Sequence, residues 1–225
     1  MGYEIITTVV TPATAVSPNL KPYDLTDLAT VKDDIGIAST TTDSYINSKI
    51  TRISQAIYNH CNRVFAVETV QDQIFPARES YPSQVPGGIN RLQLSRWPIV
   101  SITSVTVQDG TSPATALVAG TDYLSNAKLG QLTRLDPFTN YPTDWYPLTT
   151  TVVYSAGYTV IPGDLVDACI RLIRKDYWNR GDDPSIKRHS EGGIDTEYWI
   201  ATGTDGNFPP DIADLLENYR IPVIA

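Results

Sequence analysis

One place in the chain sets a thiol beside an imidazole, His60-Cys61. A thiol attacks as its thiolate, and an imidazole helps only if it can share the proton. Successive residues on a helix point about 100° apart and do not face one another. Cys61 instead falls on an apolar stripe and reads as a small buried hydrophobe, and Cys169 reads the same way. His189 sits in a Lys187-Arg188-His189 run within a polar stretch and is expected to be a solvated loop residue. Asp182-Asp183 precede Pro184 and suit a turn, with no calcium-loop spacing around them. Asp33-Asp34 read as a solvated helix end. No glycine-rich phosphate loop and no glycine-flanked serine elbow is present. Tyr141, Trp145 and Tyr146, threaded by Pro137, Pro142 and Pro147, could stack on sugars or bases. An aromatic-proline loop folded onto its own sheet is the expected outcome. The expectation is therefore no catalytic centre, no cofactor and no metal.

The 225 residues suffice for one medium domain with its own core. With 25 acids against 17 bases the net charge is -8, which argues against a broad basic face for nucleic acid. Two cysteines exclude a disulfide scaffold. No run approaches the roughly 18 apolar residues of a membrane span, and Met1–Thr7 has neither a signal-peptide pattern nor a hydroxyl at Ile6 for myristoylation. Charge is uneven: residues 1–80 carry -3, residues 81–160 carry 0, and residues 161–225 carry -5. The neutral middle is rich in Thr, Val, Pro and Tyr, the composition of strands and ordered turns.

The elements that hold these residues can be read by period. Residues 1–23, punctuated by Pro12, Pro18 and Pro22, read as an extended arm. Residues 24–65 read as two helices. The first is expected to be capped by Thr26 and stopped by Gly36. The second is expected to be capped by Asp43, with a stripe of Ile46, Ile50, Ile53, Ile57, Cys61 and Val64. Residues 66–160 change to period two, with strands expected at Val67–Phe75, Arg91–Ser95, Ile99–Gln108, Tyr123–Ser125, Gln131–Leu135 and Thr149–Ser155. Pro86-Gly87-Gly88, Asp109-Gly110 and Asn140-Tyr141-Pro142 mark turns between them. A third helix spans 161–181, opening at Pro162 and stopped by Gly181. Residues 182–225 read as a polar loop, a short helix after Pro209-Pro210, and an apolar tail. The class is α+β: a small helical core of three to four helices with an antiparallel β-hairpin-rich insertion, one domain over 1–225. An extended arm and an apolar tail commonly dock on a neighbour or a partner.

The order and spacing of these pieces resemble the head–tail connector, or adaptor, proteins of long-tailed bacteriophages and gene-transfer agents. The resemblance runs through Leu25-Thr26-Asp27-Leu28, Val31 to Ile37, Asp43 to Ile57, and Trp97-Pro98-Ile99 leading into Val100 to Thr106. It continues through Ala156-Gly157-Tyr158, Ile161-Pro162, Asp176-Tyr177-Trp178-Asn179-Arg180, Leu215-Leu216 and Tyr219-Arg220. The chain departs from the pattern at the hydroxyl run Ser39–Thr42 and at Asn179, where an acid is common.

The resemblance implies a structural virion protein at the head–tail interface, made in the cytoplasm of a bacterial host. It implies a homo-oligomeric ring, usually of twelve subunits, mounted under the portal protein. Such a ring prolongs the DNA channel and offers a platform to the tail or to a stopper or neck protein, with no membrane involved. It implies portal contacts in the C-terminal segment, here Tyr219, Arg220, Ile221, Pro222, Val223 and Ile224. Twelve copies would carry a charge of about -96, a body that repels passing DNA rather than gripping it. Two other readings share the composition: a different neck or tail-completion protein, and a β-rich carbohydrate-binding virion decoration module that exposes Tyr141 to Tyr146.

Overall fold

The computed structural model describes residues 3–14, 20–76, 90–145, 148–180, 188–191, 194–197 and 208–221. In chain order the elements are β1 (Tyr3–Thr11), α1 (Leu28–Ile35), α2 (Asp43–Cys61), β2 (Glu68–Pro76), β3 (Arg91–Gln93), β4 (Ile99–Gln108) and β5 (Thr115–Ala116). They continue with β6 (Tyr123–Asn126), β7 (Gln131–Arg134), β8 (Thr149–Ala156), α3 (Gly163–Trp178), β9 (Arg188–Glu191), β10 (Ile194–Glu197) and α4 (Pro210–Glu217). The class is α+β, as the two periods predict. The chain forms two compact units: a β unit of Met1–Thr14 with Val64–Val160, and a helical unit of Ala15–Arg63 with Ile161–Ala225.

In the helical unit α2 carries the longest apolar stripe. Ile46, Ile50, Ile57 and Cys61 are buried, and Ser54 and Tyr58 widen the buried face. Each fully buried Ile contributes about 1.5–3 kcal/mol. Helix α3 answers with Leu165, Ala168, Cys169, Ile170 and Ile173, and α4 with Ile212 and Leu216. The caps shift by one residue from the sequence expectation. Asp27, not Thr26, caps α1, its carboxylate accepting from the Thr30 N–H at 2.8 Å. A carboxylate offers that N–H a charged acceptor which a hydroxyl lacks. Thr42 occupies the cap position of α2, while Asp43 opens the helix and pairs with Lys32 at 2.7 Å. Gly36 ends α1 at φ 77°, where it closes the expected left-handed cap. Helix α3 ends at Trp178 with Asn179 as its cap, ahead of Gly181, which lies outside the described residues. The stretch expected to be a polar loop holds a hairpin, in which His189 pairs with Thr196 and Ser190 with Asp195.

The β unit contains a five-stranded antiparallel sheet of order β1-β2-β8-β4-β5 and a three-stranded one of order β3-β7-β6. A single apolar cluster draws Val70, Ile74, Val105, Val152 and Tyr154 from the larger sheet and Leu92, Tyr123 and Leu132 from the smaller. The arm expected at the N-terminus is extended, and its first nine described residues are not loose. They pair with β2 from Tyr3↔Pro76 to Thr11↔Thr69. At Gly157 the backbone approaches the start of β2 so closely that a Cβ would sit 2.3 Å from the Ala66 carbonyl oxygen, at φ 131°. The Asp109-Gly110 signal is a turn in which the Asp109 carboxylate accepts from the N–H groups of Thr111 and Ser112. Those bonds hold its pKa down to about 2.

Candidate interaction surfaces

Among the described residues, those capable of chemistry are sequestered or separated. Both cysteines are buried and free. Burial pushes the Cys61 thiol up to about 11 and the Cys169 thiol up to about 12, the opposite of an activated nucleophile. The His60 ring meets Phe208 edge-on with centroids 5.1 Å apart, not the Cys61 sulfur. Cys61 Sγ donates instead to the Leu216 carbonyl at 3.9 Å. Asp34 is paired with Arg174. Asp182 and Asp183 lie outside the described residues, as does the side chain of His189. Among the described residues no group of three His, Cys, Asp or Glu could hold a metal ion, and no helix is long and apolar enough to cross a membrane.

The aromatic triplet is split. Trp145 is buried, and its indole N–H donates to the Asn90 carbonyl at 3.1 Å. Tyr141 is exposed, and Tyr146 lies outside the described residues. A stacking platform needs neighbouring exposed rings; here Trp145 is core, as the loop-on-sheet reading expects.

A buried carboxylate organises the larger sheet. Asp72 on β2 accepts from Thr7 Oγ1 at 2.7 Å, from the Ser95 N–H at 2.8 Å, from Ser95 Oγ at 2.7 Å and from the Tyr154 hydroxyl at 2.7 Å. The Tyr154 phenol is pushed up by burial and by that carboxylate. Four donors from β1, β8 and the segment after β3 converge on one acid, so this network is a latch of the fold.

Two surfaces remain that a partner could use. The first is the face of the five-stranded sheet turned away from its core. Ladder pairs place Ile6, Thr8, Gln71, Gln73, Thr151, Val153, Ser155, Ser101, Ser104 and Thr106 there. Thr69 and Ser155 share a 2.8 Å hydroxyl bond across it. Among the described strand residues Glu4, at one end, is the only ionisable group on this face. The second is an aromatic–cation patch on the helical unit. Arg180 lies 5.6 Å from the Tyr45 ring and 5.5 Å from that of Tyr177, and Lys49 pairs with Asp176 at 2.6 Å. Trp178 beside it is 65 % exposed. Tyr45 and Tyr177 are too far apart in sequence for spacing to join them. The only signal was the Asp176-to-Arg180 run.

Of the six C-terminal candidates, Tyr219 to Ile221 are described. The Tyr219 hydroxyl donates to Asp164 at 3.3 Å, Arg220 pairs with Glu217 at 3.7 Å, and the Ile221 N–H donates to the Cys61 carbonyl at 2.9 Å. These bonds tether the start of the tail to its own helical unit. Pro222, Val223 and Ile224 lie outside the described residues.

Comparison with known proteins places this architecture. A chain in the virion of a native gene transfer agent particle superposes with a TM-score of 0.54 at 14 % identity, over 98 % of this chain and 97 % of that one. A chain in the neck of an empty gene transfer agent particle, computed with sixfold symmetry, gives 0.52 at 12 % identity over 98 % and 97 %. At these identities the likeness is one of fold. A comparison with curated protein sequences finds no match. The profile of the head completion proteins matches residues 24–222, a span that takes in all four helices and every strand but β1, and on that match the chain belongs to the head completion protein family.

Proposed function

We propose that this protein is a structural part of a virion neck, a connector whose copies form a ring, of twelve subunits, beneath the portal protein. The ring extends the DNA channel and presents a docking platform to the tail or to the next neck protein. The observation that carries the reading is the family match over 24–222, joined to a fold shared along nearly the whole chain with a protein of a gene-transfer-agent neck. Two physical features agree with it. The net charge of -8 per copy opposes retention of duplex DNA in a lumen. Among the described strand residues Glu4 is the only ionisable group on the large hydroxyl-rich sheet face, which leaves that face suited to burial against protein.

The portal contact is assigned to the segment from Tyr219 to Ile224. Tyr219, Arg220 and Ile221 are anchored on α3, α4 and α2, and the apolar Pro222-Val223-Ile224 follow them in sequence. The test is capture of the purified chain on immobilised portal rings, with negative-stain images of the complex. A twelve-fold ring capping the portal is the expected result. Failure to bind portal, or tight salt-sensitive binding to duplex DNA in a shift assay, overturns the reading.

A further inference from the structure

We propose that neighbouring copies join by strand addition: the free edge of β1 in one copy pairs with the free edge of β4 in the next, head to tail. This rests on the ring reading above and names the contact that would build the ring.

Three observations carry it. First, among the described residues the five-stranded sheet has two open edges. There β1 is paired on one side only, with β2. On the far edge β5 covers β4 at Thr106 and Val107, the Leu117 N–H donates to the Val105 carbonyl and the Ile99 N–H to the Ala127 carbonyl, so the uncovered stretch among the described residues is Val100 to Ser104. Natural edge strands are normally guarded by lysine, proline, an inward charge, brevity or a β-bulge, and of these β1 and β4 carry only register shifts, at Val9/Thr11 and at Ile99/Ser101 and Ile102/Ser104. Strand β1 has nine residues, no lysine and no proline, and exposes Ile6, Val9 and Val10. Strand β4 exposes Val100 and likewise has no charge in Ile99–Gln108.

Second, the strand directions suit repetition. From β1 through β2 and β8 to β4 every pairing is antiparallel. Four alternating strands leave β1 and β4 pointing in opposite directions. A rotated copy continuing the sheet therefore sets its β1 antiparallel to the preceding β4, the same pairing used inside each copy. The two edges differ, so the contact is heterologous and propagates around a ring rather than stopping at a dimer. At a strand spacing of about 4.8 Å the repeat is about 19 Å per copy.

Third, electrostatics selects where like copies can meet. Two bodies at -8 repel, and an uncharged contact sets no like charges against each other. Both edges and the outer face between them are uncharged apart from Glu4. The occupant is thus a second copy of this chain, held by main-chain hydrogen bonds in the manner of β-augmentation.

The test is disulfide trapping in particles assembled with full-length variants. Thr8→Cys is combined with Ser101→Cys, and separately Ile6→Cys with Ser101→Cys, to sample two registers. Native Cys61 and Cys169 are buried and give a silent background. The expected result is a ladder of covalent multimers on a non-reducing gel from at least one double variant, and single copies from each single variant. An Ile6→Lys chain should keep the monomer's circular dichroism and lose incorporation into rings. Dimers from Thr8→Cys alone mean that β1 meets β1 and overturn the head-to-tail pairing. Rings seen by microscopy without any cross-link overturn strand addition and leave the ring reading standing. Particles without a ring of native chains overturn the ring reading and this contact together.

Discussion

At the scale of residues, the sequence correctly assigned both cysteines to the interior, because helical period alone fixes which face a residue joins. The account predicts that a thiol reagent finds no fast-reacting cysteine in the folded protein and two after denaturation. A fast-reacting thiol in the native state would contradict it. Asp72 was not legible. In Val67–Phe75 it stands in the row of Glu68, Val70 and Ile74, and nothing local says that this row faces the core or that Thr7, Ser95 and Tyr154 converge there. Asp72→Ala strands several buried donors and should cost about 3 kcal/mol in denaturant unfolding. Thr7→Val removes one part-buried bond and should cost about 1 kcal/mol or less. Equal costs for the two would show that the carboxylate is not the hub.

At the scale of elements, legibility followed the distance over which each element finds its partner. Helix α2 announces itself by a stripe within 19 residues, and β4 and β8 by residue type and period. Strand β1 read as an arm because its partner, β2, lies some 65 residues downstream and pairing register is not a local property. The β9–β10 hairpin was missed because Arg188–Glu191 and Ile194–Glu197 are polar and short, with almost no apolar alternation to detect. The close approach at Gly157 was hidden too: Ala156-Gly157-Tyr158 entered only as part of the resemblance, and nothing local marks its contact with Ala66. Gly157→Ala forces a Cβ into the Ala66 carbonyl at a φ that side chains rarely adopt. The expected loss is about 2–4 kcal/mol, read as a lowered urea midpoint with an unchanged slope. A loss under about 0.5 kcal/mol would mean that the strand ends separate freely.

At the scale of the whole molecule, what the sequence conveyed was an order of pieces, and that order is the one the head completion profile spans. Period and composition carried the α+β class; they did not carry which surfaces meet a partner, because an interface is written in exposed residues that no folding constraint marks. Ile221 illustrates the point: it looked like the start of a free tail and is hydrogen-bonded to the Cys61 carbonyl. Deleting Pro222–Ala225 should therefore leave the unfolding free energy within about 0.5 kcal/mol of the full chain while abolishing capture by portal rings. An unfolded truncated chain would assign the tail to the core instead. The central claim, that this chain builds a neck ring, is tested most directly by electron cryomicroscopy of the particle neck with symmetry determined from the images. The account predicts twelve copies of this fold in one ring against the portal, and the absence of this fold from the neck, or its presence on the capsid surface, would contradict it.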